Sequence, residues 1–301
     1  MNASYSELSA KGSMVGDVAQ RLRETGPSCR LSPLVFMTDP NRVTDPAKIA
    51  AKLPKGTAII YRHFGSPDHA GALRDLTRTR GQQFLIGNDP ELAKEVGADG
   101  VHFSRDATLS GPKLWREKQP NWIITMAGLK TGDYLGGFET LDALFISSVF
   151  PSKSSSAGEA IGIEALTDRA ARLPLPLYAL GGVSAGTAYD LIGSGVSGLA
   201  AIDGLIWNVC WEDTTYGHRF VIHTDFGEAE ITMKFTRDGV FNANHTFTPP
   251  ELRGQGVAGK LFDAMVAQAI LAGYKIIPGC PYIGVKFRRN PKIAARAGVK
   301  F

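Results

Sequence analysis

The sequence predicts an α/β protein: a compact (β/α)8 TIM barrel followed by a small α+β domain. Eight short apolar runs alternate with helical or turn segments between residues 31 and 205. After Leu205 this alternation stops, and a glycine-rich turn around Gly256 later leads into an amphipathic helix. A chain of 301 residues suits one large and one small domain better than a single hydrophobic core.

The predicted strands of the first domain are almost continuously apolar, as is typical of parallel strands covered on both faces. They are Leu34–Thr38, Ala58–Arg62, Phe84–Asn88, Gly100–Phe103, Trp122–Met126, Ala143–Val149, Pro176–Gly181 and Gly198–Ile202. Helical segments are predicted between them, with weaker signals at the fourth and fifth: Asp45–Leu53, Ala70–Arg80, Pro90–Val96, Leu109–Lys118, Thr131–Leu141, Ile163–Leu173 and Gly186–Gly193. Eight strands with crossovers favour a barrel over the alternative, an open doubly wound sheet.

The remaining segments complete the domain plan. Residues 1–30 are polar and read as a flexible leader, residues 31–205 as the barrel and residues 206–216 as a linker. Residues 217–301 form the small domain. Its predicted elements are a three-stranded meander, a helix that ends at Gly273 and a further strand: Arg219–Thr224, Ala229–Phe235, Val240–Phe247 and Tyr274–Pro278.

Composition limits the possible partners. Charged residues make up 21% of the chain and hydrophobic residues 44%, and no apolar run approaches the ~20 residues needed to cross a bilayer. Three widely spaced cysteines, Cys29, Cys210 and Cys280, argue for a reducing, cytoplasmic setting without disulfides. Residues 207–301 hold 12 Lys and Arg against 8 Asp and Glu, which suits a polyanionic cofactor but is too weakly basic for nucleic acid. We expect small phosphorylated molecules as partners, and a homo-oligomer is compatible with the sequence.

Polar residues cluster where the predicted barrel strands end, which is the edge that carries the active site in this fold. They are Asp39, Arg62, His63, Asn88, Asp89, His102, Asp106, Ser147, Ser148, Gly181 and Gly182. The Gly181–Gly182 pair can cup a phosphate or simply form a tight turn. His102 can act in the site or be a packed structural histidine.

Five segments in order resemble thiamine phosphate synthases and their TenI relatives: LVFMTDP (Leu34–Pro40), IGNDPELA (Ile86–Ala93), GADGVH (Gly97–His102), SVFP (Ser148–Pro151) and PLYALGGVS (Pro176–Ser184). The resemblance implies a barrel that joins a pyrimidine diphosphate to a thiazole phosphate and releases pyrophosphate. It implies Arg62 as a catalytic residue and Asp89 as a Mg²⁺ ligand, with Asp106, one residue from the family's other metal position, as the second candidate ligand. The phosphate-binding residues that it implies are Arg62, Asn88, Lys153, Ser154, Gly181 and Gly182.

Several positions depart from the family pattern. The Gln-x-Arg-x-Lys at the end of the second strand is Ile60–Phe64 here, so only Arg62 remains. Pro90 stands where an arginine follows Asn-Asp, and Ala107 where a metal carboxylate is expected. The pyrophosphate loop reads Ser152-Lys153-Ser154-Ser155-Ser156. Each lost charge-assisted contact costs about 1.5–3 kcal/mol, so a working synthase, a related binding role and a barrel without catalysis all remain open.

The turn Pro250–Lys260 resembles the pyrophosphate loop of GNAT acyl-CoA N-acetyltransferases, with the spacing Arg253-x-x-Gly256-x-Ala258. Small single-motif members share the run from His245 and Thr246 through the loop to Pro278–Pro281; their Arg-His-Pro is Arg289-Asn290-Pro291 here. Such a turn aims backbone N–H groups at a phosphate. The resemblance implies acetyl-CoA as cofactor, bound by Arg253, Gly254, Gln255, Gly256, Val257 and Ala258.

Two residues of this domain are candidates for acetyl transfer. Cys280 can accept the acetyl group or protonate the CoA thiolate, or it can be an inert buried cysteine. His245 can be a base or only a turn residue. The tail from Lys286 to Lys300 holds six basic residues, which suits a solvated helix face or contact with phosphates. The sequence thus predicts a bifunctional enzyme; the alternative is a non-synthase barrel that serves as a phosphate-ligand binding or regulatory module on an acetyltransferase.

Overall fold

The computed structural model describes residues 12–128, 138–152, 154, 158–237 and 239–299. The first elements of the described part are strand β1 (Gly12–Ser13) and helix α1 (Met14–Thr25). The prediction of a flexible leader over residues 1–30 is therefore wrong for α1, while residues 1–11 lie outside the described residues. Val15, Val18 and Leu22 lie on one side of α1 and are buried. Their helical spacing is the signal that the polar composition of this segment concealed.

A closed parallel barrel follows, which confirms the predicted fold and excludes the open sheet. Its strands are β2 (Leu34–Met37), β3 (Ala58–Tyr61), β4 (Phe84–Gly87), β5 (Gly100–Phe103), β6 (Ile123–Ala127), β7 (Ala143–Ile146), β8 (Leu177–Ala179) and β9 (Gly198–Ala201). Closure occurs where β9 pairs with β2, with Leu34 opposite Leu199. Seven of the eight predicted strand segments contain one of these strands, and the fifth, Trp122–Met126, overlaps β6, which ends one residue later at Ala127.

The helices that follow the barrel strands are short. They are α2 (Pro46–Lys52), α3 (Ala70–Thr79), α4 (Pro90–Glu95), α5 (Ser110–Lys118), α6 (Gly162–Arg172) and α7 (Asp203–Ile206). Asp45 and Asp89 cap α2 and α4, each with a proline in the first helical turn. The helix predicted over Gly186–Gly193 is only a 3-10 turn at Ala188–Leu191. Of the helix predicted over Thr131–Leu141, residues 131–137 lie outside the described part, and 138–140 form a 3-10 turn.

The barrel interior is filled by apolar side chains. Val35, Ile60, Leu85, Phe145 and Tyr178 belong to one buried cluster. The Tyr178 hydroxyl, inside this cluster, donates a hydrogen bond to the Leu31 carbonyl at 2.8 Å. Because the centre is packed, ligand chemistry is confined to the ends of the strands.

Of the described residues, the second compact unit contains 12–17, 184–189, 207–237 and 239–299. Its remaining elements are β10 (Cys210–Thr214), β11 (Gly217–Thr224), β12 (Gly227–Arg237), β13 (Val240–Phe247), α8 (Val257–Ala272), β14 (Lys275–Ile277), α9 (Pro281–Arg289) and α10 (Pro291–Arg296). The sheet order is β1-β10-β11-β12-β13-β14, and only the β13–β14 pair is parallel. This parallel pair is joined through α8, whose buried Leu261 and Met265 belong to the stripe that the sequence predicted.

The predicted linker over residues 206–216 is also corrected, because β10 lies within it. Trp211 is buried and meets the ring of Phe220 edge-on, with 4.9 Å between ring centroids. A short strand at the start of a domain has too few residues to show a clear alternation of apolar and polar side chains. The cross-strand contact of its aromatic residue stabilises the pairing instead. Among the described residues, no helix is both long and apolar enough to span a membrane.

Candidate active sites

Arg62 follows β3 at the carboxyl end of the barrel. Its Nε atom donates to the Thr38 carbonyl at 2.7 Å, and its Nη2 atom lies 3.6 Å from Oδ2 of Asp39. Burial lowers the pKa of Arg62, against the attraction of Asp39. Within the described residues, Nη2 is buried without a hydrogen-bond partner. A buried guanidinium nitrogen without a hydrogen-bond partner can donate to a bound anion such as a phosphate.

His63 and Asp89 join the loops after β3 and β4. His63 Nε2 lies 3.3 Å from Asp89 Oδ2, and the amide of Gly65 donates to His63 Nδ1 at 3.1 Å. With Nδ1 acting as acceptor, the neutral ring carries its proton on Nε2 and donates toward Asp89. Asp89 Oδ1 also accepts the Leu92 amide at 2.9 Å as the cap of α4. The predicted metal ligand therefore already has two structural contacts.

Asn88 connects the loops after β4 and β5. Its φ of 59° lies in the left-handed region, which asparagine tolerates better than most residues. The Asn88 amide donates to the His102 carbonyl at 2.7 Å, and its Oδ1 accepts the Ser104 amide at 3.4 Å. The structure thus gives this predicted phosphate-binding residue a clear role in holding the two loops together.

The predicted magnesium ligands are Asp89 and Asp106. The side chain of Asp89 is 36% exposed, and Asp106 lies exposed in the loop after β5. Within the part of the chain that the structure describes, no three His, Cys, Asp or Glu side chains come together as a metal cluster. Magnesium commonly takes only one or two protein carboxylates and fills its shell with phosphate and water. Asp89 and Asp106 therefore stay a predicted donor set, one that would need phosphate and water to complete the shell of the ion.

His102 lies inside the barrel, next to the mouth. It is 5% exposed, its Nδ1 lies 2.9 Å from Oγ1 of Thr125, and its ring meets Phe145 edge-on. Burial and then the charge of Arg62 lower the pKa of His102 to about 3, so the ring is neutral near neutral pH. Thr125 and Thr38 are the polar partners that the sequence analysis missed. The sequence signal that could have identified them is a threonine within an otherwise apolar strand segment.

The loops after β7 and β8 meet backbone to backbone. The amide of Phe150 donates to the Gly181 carbonyl at 3.0 Å. A Cβ on Gly181 would lie 2.7 Å from Ser148 Cα, and one on Gly182 only 2.6 Å from the Pro151 carbonyl oxygen. Both glycines also have positive φ. The pair is therefore required by close packing, and it fixes Ser148 beside the predicted phosphate cup.

The serine loop is only partly described. Ser154 donates its amide to Ser152 Oγ at 3.3 Å, so the loop folds on itself at this point. Lys153, Ser155 and Ser156 lie outside the described residues, and the phosphate-binding role of Lys153 and Ser154 stays a prediction.

In the second unit, Gly254 and Gly256 have φ values of 80° and 78°, and Gly256 caps α8. Apart from the adjoining residues, no atom of the described part of the chain lies within 4 Å of a Cβ position built on either glycine. The first helical bond from the loop is that of the Lys260 amide to the Gly256 carbonyl at 3.2 Å. A helix leaves the amides of its first turn without intrahelical partners, whereas the Gln255 amide in the preceding loop already donates to the Leu252 carbonyl at 3.3 Å. The side chains of Arg253 and Gln255 instead bond the loop backbone, at the carbonyls of Thr248 and Glu251.

Lys286 adds a cation at this turn. Its Nζ lies 3.7 Å from the Cβ position of Gly259 and 5.4 Å from the centroid of the Phe262 ring. The sequence analysis placed Lys286 only in a basic tail. Lys286 lies on α9, where Ile283 and Phe287 are buried. Because these two residues fix the rotation of the helix, they also fix the direction of the Lys286 side chain.

Cys280 lies between β14 and α9 and is 7% exposed. Its thiol donates to Thr246 Oγ1 at 3.4 Å, and its amide donates to the Ala243 carbonyl at 2.8 Å. His245 precedes Thr246 on β13, so its exposed side chain projects from the other face of the sheet. The structure does not bring His245 to Cys280. Tyr282 is the neighbour that the sequence analysis missed: burial, then Asp263 and Cys280, raise its pKa, so the hydroxyl keeps its proton.

The fold and these groups define a barrel transferase that carries an acetyltransferase-like domain. The family model of thiamine monophosphate synthase matches residues 35–205, more than half of the chain, and the chain belongs to this family. A second model, GCN5-related N-acetyl-transferase, matches residues 219–296.

Individual relatives agree. The chain is 28% identical to the thiamine-phosphate synthase of Acidithiobacillus ferrooxidans over 190 residues, which is 58% of this chain and 87% of the relative. It is also 28% identical to that of Pyrococcus horikoshii over 210 residues, covering 64% of this chain and 96% of the relative. Among solved structures, the thiamine phosphate pyrophosphorylase of Pyrococcus furiosus matches with a TM-score of 0.50 and 25% identity, over 60% of this chain and 87% of that one.

Proposed function

We propose that the barrel joins a pyrimidine diphosphate to a thiazole phosphate and releases pyrophosphate. The observation that carries this proposal is the buried Nη2 of Arg62, which lacks a hydrogen-bond partner among the described residues at the mouth of the barrel. As the bond from the pyrimidine methylene carbon to the diphosphate breaks, negative charge builds on the departing oxygens. A fixed, buried guanidinium stabilises that charge.

The neighbours of Arg62 keep it ready for this role. Thr38 holds Nε, and Asp39 sits beside Nη2 at 3.6 Å while also meeting Arg42 Nε at 3.4 Å. Asp39 thus shares its charge between two arginines and leaves Arg62 available to a phosphate. Neutral His102 adds no competing positive charge deeper in the barrel. Magnesium, when bound, would neutralise diphosphate charge, with Asp89 and Asp106 as the protein carboxylates.

The test is thiamine phosphate formation by the full chain, with and without Mg²⁺, for wild type, Arg62→Gln and Arg74→Gln. Arg74 is a matched control because it pairs with Asp99, just before β5 and so at the opposite end of the strands. We expect Mg²⁺-dependent product, lowered about 100-fold by Arg62→Gln and little changed by Arg74→Gln. A folded wild type that forms no product would favour the alternative, a phosphate-ligand binding or regulatory barrel.

We further propose that the second unit binds acetyl-CoA at the start of α8 and transfers its acetyl group. The specific observation is the open turn at Gly254 and Gly256 with the Lys286 ammonium beside Gly259. Amides and an ammonium on one turn suit a pyrophosphate. Cys280 and the protonated Tyr282 would then lie toward the thioester, one to accept the acetyl group and the other to protonate the CoA thiolate.

Acetyl-CoA binding to the full chain tests this second proposal by calorimetry, with Lys286→Gln as variant and Lys292→Gln as control. Lys292 lies in the same basic tail, on the short helix α10. We expect Lys286→Gln to weaken binding about tenfold and Lys292→Gln to leave it unchanged. Equal losses in the two variants would mean that the tail acts only through its general charge.

A further inference from the structure

Phe64 occupies an unusual position at the barrel mouth. Its side chain is 66% exposed, and its φ of 46° lies in the left-handed region. Singly exposed apolar residues are common and need no explanation. A bulky residue held at positive φ is uncommon, however, and such backbone strain concentrates at functional sites.

The loop that carries Phe64 is tied down on both sides. The Ser66 amide donates to the His63 carbonyl at 2.9 Å, and the Gly65 amide donates to His63 Nδ1 at 3.1 Å. The Tyr61 hydroxyl donates to the Ser66 carbonyl at 3.1 Å and accepts the His69 amide at 3.4 Å. The ring of Phe64 is therefore presented by a fixed turn.

The partner of this ring is the guanidinium of Arg62. Arg62 Cζ lies 5.3 Å from the centroid of the Phe64 ring, within the range of a cation–π contact. Arg62 Nη2, in turn, has no hydrogen-bond partner among the described residues. An exposed aromatic surface and an unfilled cationic donor thus lie side by side. Together they match a ligand that combines a flat ring with an anionic group.

We propose that Phe64 is a specificity-determining residue of the barrel and stacks on the heteroaromatic ring of a ligand whose phosphate reaches Arg62. This inference rests on the proposed synthase function, in which the pyrimidine diphosphate is such a ligand. Aromatic pairs favour offset or edge-on contact between fixed rings. A ring that is held before the ligand arrives loses little freedom on binding.

The experiment is calorimetric titration of the full chain with two probes, the pyrimidine diphosphate and inorganic pyrophosphate, both with Mg²⁺. Phe64→Leu removes the aromatic face but keeps an apolar side chain, and Phe226→Leu is the control, since Phe226 is 61% exposed on the other unit. We expect Phe64→Leu to weaken the ring-bearing probe about tenfold and to leave pyrophosphate unchanged. Phe226→Leu should change neither.

Proton NMR of the bound pyrimidine supplies a readout that a purely structural role would not move. Its ring resonances should shift upfield in the wild type and lose most of that shift in Phe64→Leu. If both probes bind but Phe64→Leu weakens them equally or not at all, the inference fails and the proposed function stands. If the wild type binds neither probe, the proposed function fails and this inference falls with it.

Discussion

The Nδ1 atom of His102 lies 2.9 Å from Oγ1 of Thr125 in the interior of the barrel. Burial and Arg62 hold the pKa of His102 at about 3, against an ordinary value of 6.5. As the pH falls below 6.5, His102 is protonated in the unfolded chain but stays neutral in the folded chain. Folding stability therefore decreases toward acid, by about 2 kcal/mol between pH 8 and pH 5 from this group.

Chemical denaturation of the barrel across that range measures the effect. His102→Asn keeps a polar partner for Thr125 and should flatten this part of the pH dependence. His245→Asn changes an exposed histidine and should retain it. A slope that survives His102→Asn would show that other groups dominate acid sensitivity.

The double glycine after β8 allows steric clash to be separated from backbone strain. Gly181→Ala places a Cβ about 2.7 Å from Ser148 Cα at a φ of 90°. Gly56→Ala, at a φ of 80°, places a Cβ with no atom of the described residues, beyond the adjoining ones, within 4 Å. We expect Gly56→Ala to cost about 1 kcal/mol of unfolding free energy and Gly181→Ala about 2–4 kcal/mol. Denaturant titration gives both values. Equal costs would mean that the loop after β7 moves aside freely.

The acetyl-CoA loop can be tested with a similar pair. Gly256→Ala and Gly273→Ala both place a Cβ at positive φ in open space, at the beginning and the end of α8. Each should lose about 1 kcal/mol of stability through the same backbone strain. Only Gly256→Ala should also weaken acetyl-CoA, by about tenfold, because it disturbs the amides of the first turn. If Gly256→Ala and Gly273→Ala weaken acetyl-CoA binding equally, the cofactor does not bind at the start of α8.

The cysteines of the second unit should differ in chemistry. Burial, with Glu212 and Asp17 nearby, raises the pKa of Cys210 to about 11, so this thiol stays protonated near neutral pH and resists alkylation. After incubation with acetyl-CoA, intact mass measurement should find one acetyl group on the wild type if Cys280 is the acceptor. Cys210→Ala should retain that group and Cys280→Ala should lose it.

Acetyl transfer can also proceed without any acetylated protein being detected. If neither cysteine substitution then abolishes turnover, Cys280 is a structural residue whose thiol donates a hydrogen bond to Thr246. Loss of turnover without acetylation in Cys280→Ala would assign it to proton transfer. The same pair of variants therefore decides between the roles that its burial and position allow.

The barrel could be predicted strand by strand because each parallel strand is covered on both faces and must be apolar throughout. Helix α1 and strand β10 could not. The polar composition of the N-terminal segment concealed the helical spacing of Val15, Val18 and Leu22. Strand β10 has five residues, and of these only Trp211 is buried, so it shows no alternation although it pairs with the next strand, β11. The Gly186–Gly193 segment shows the opposite error, since a helical pattern there yields only a 3-10 turn.

At the candidate sites, the local sequence pattern is enough to predict which polar residues stand at strand ends and where glycines interrupt the chain. Which of these residues contact one another depends on the tertiary structure. It placed Arg62 between Thr38 and Asp39, set Phe64 over its guanidinium, and put His245 on the opposite face from Cys280. Strand closure and sheet facing are long-range properties, and a side chain's partners follow from them rather than from its neighbours in the chain.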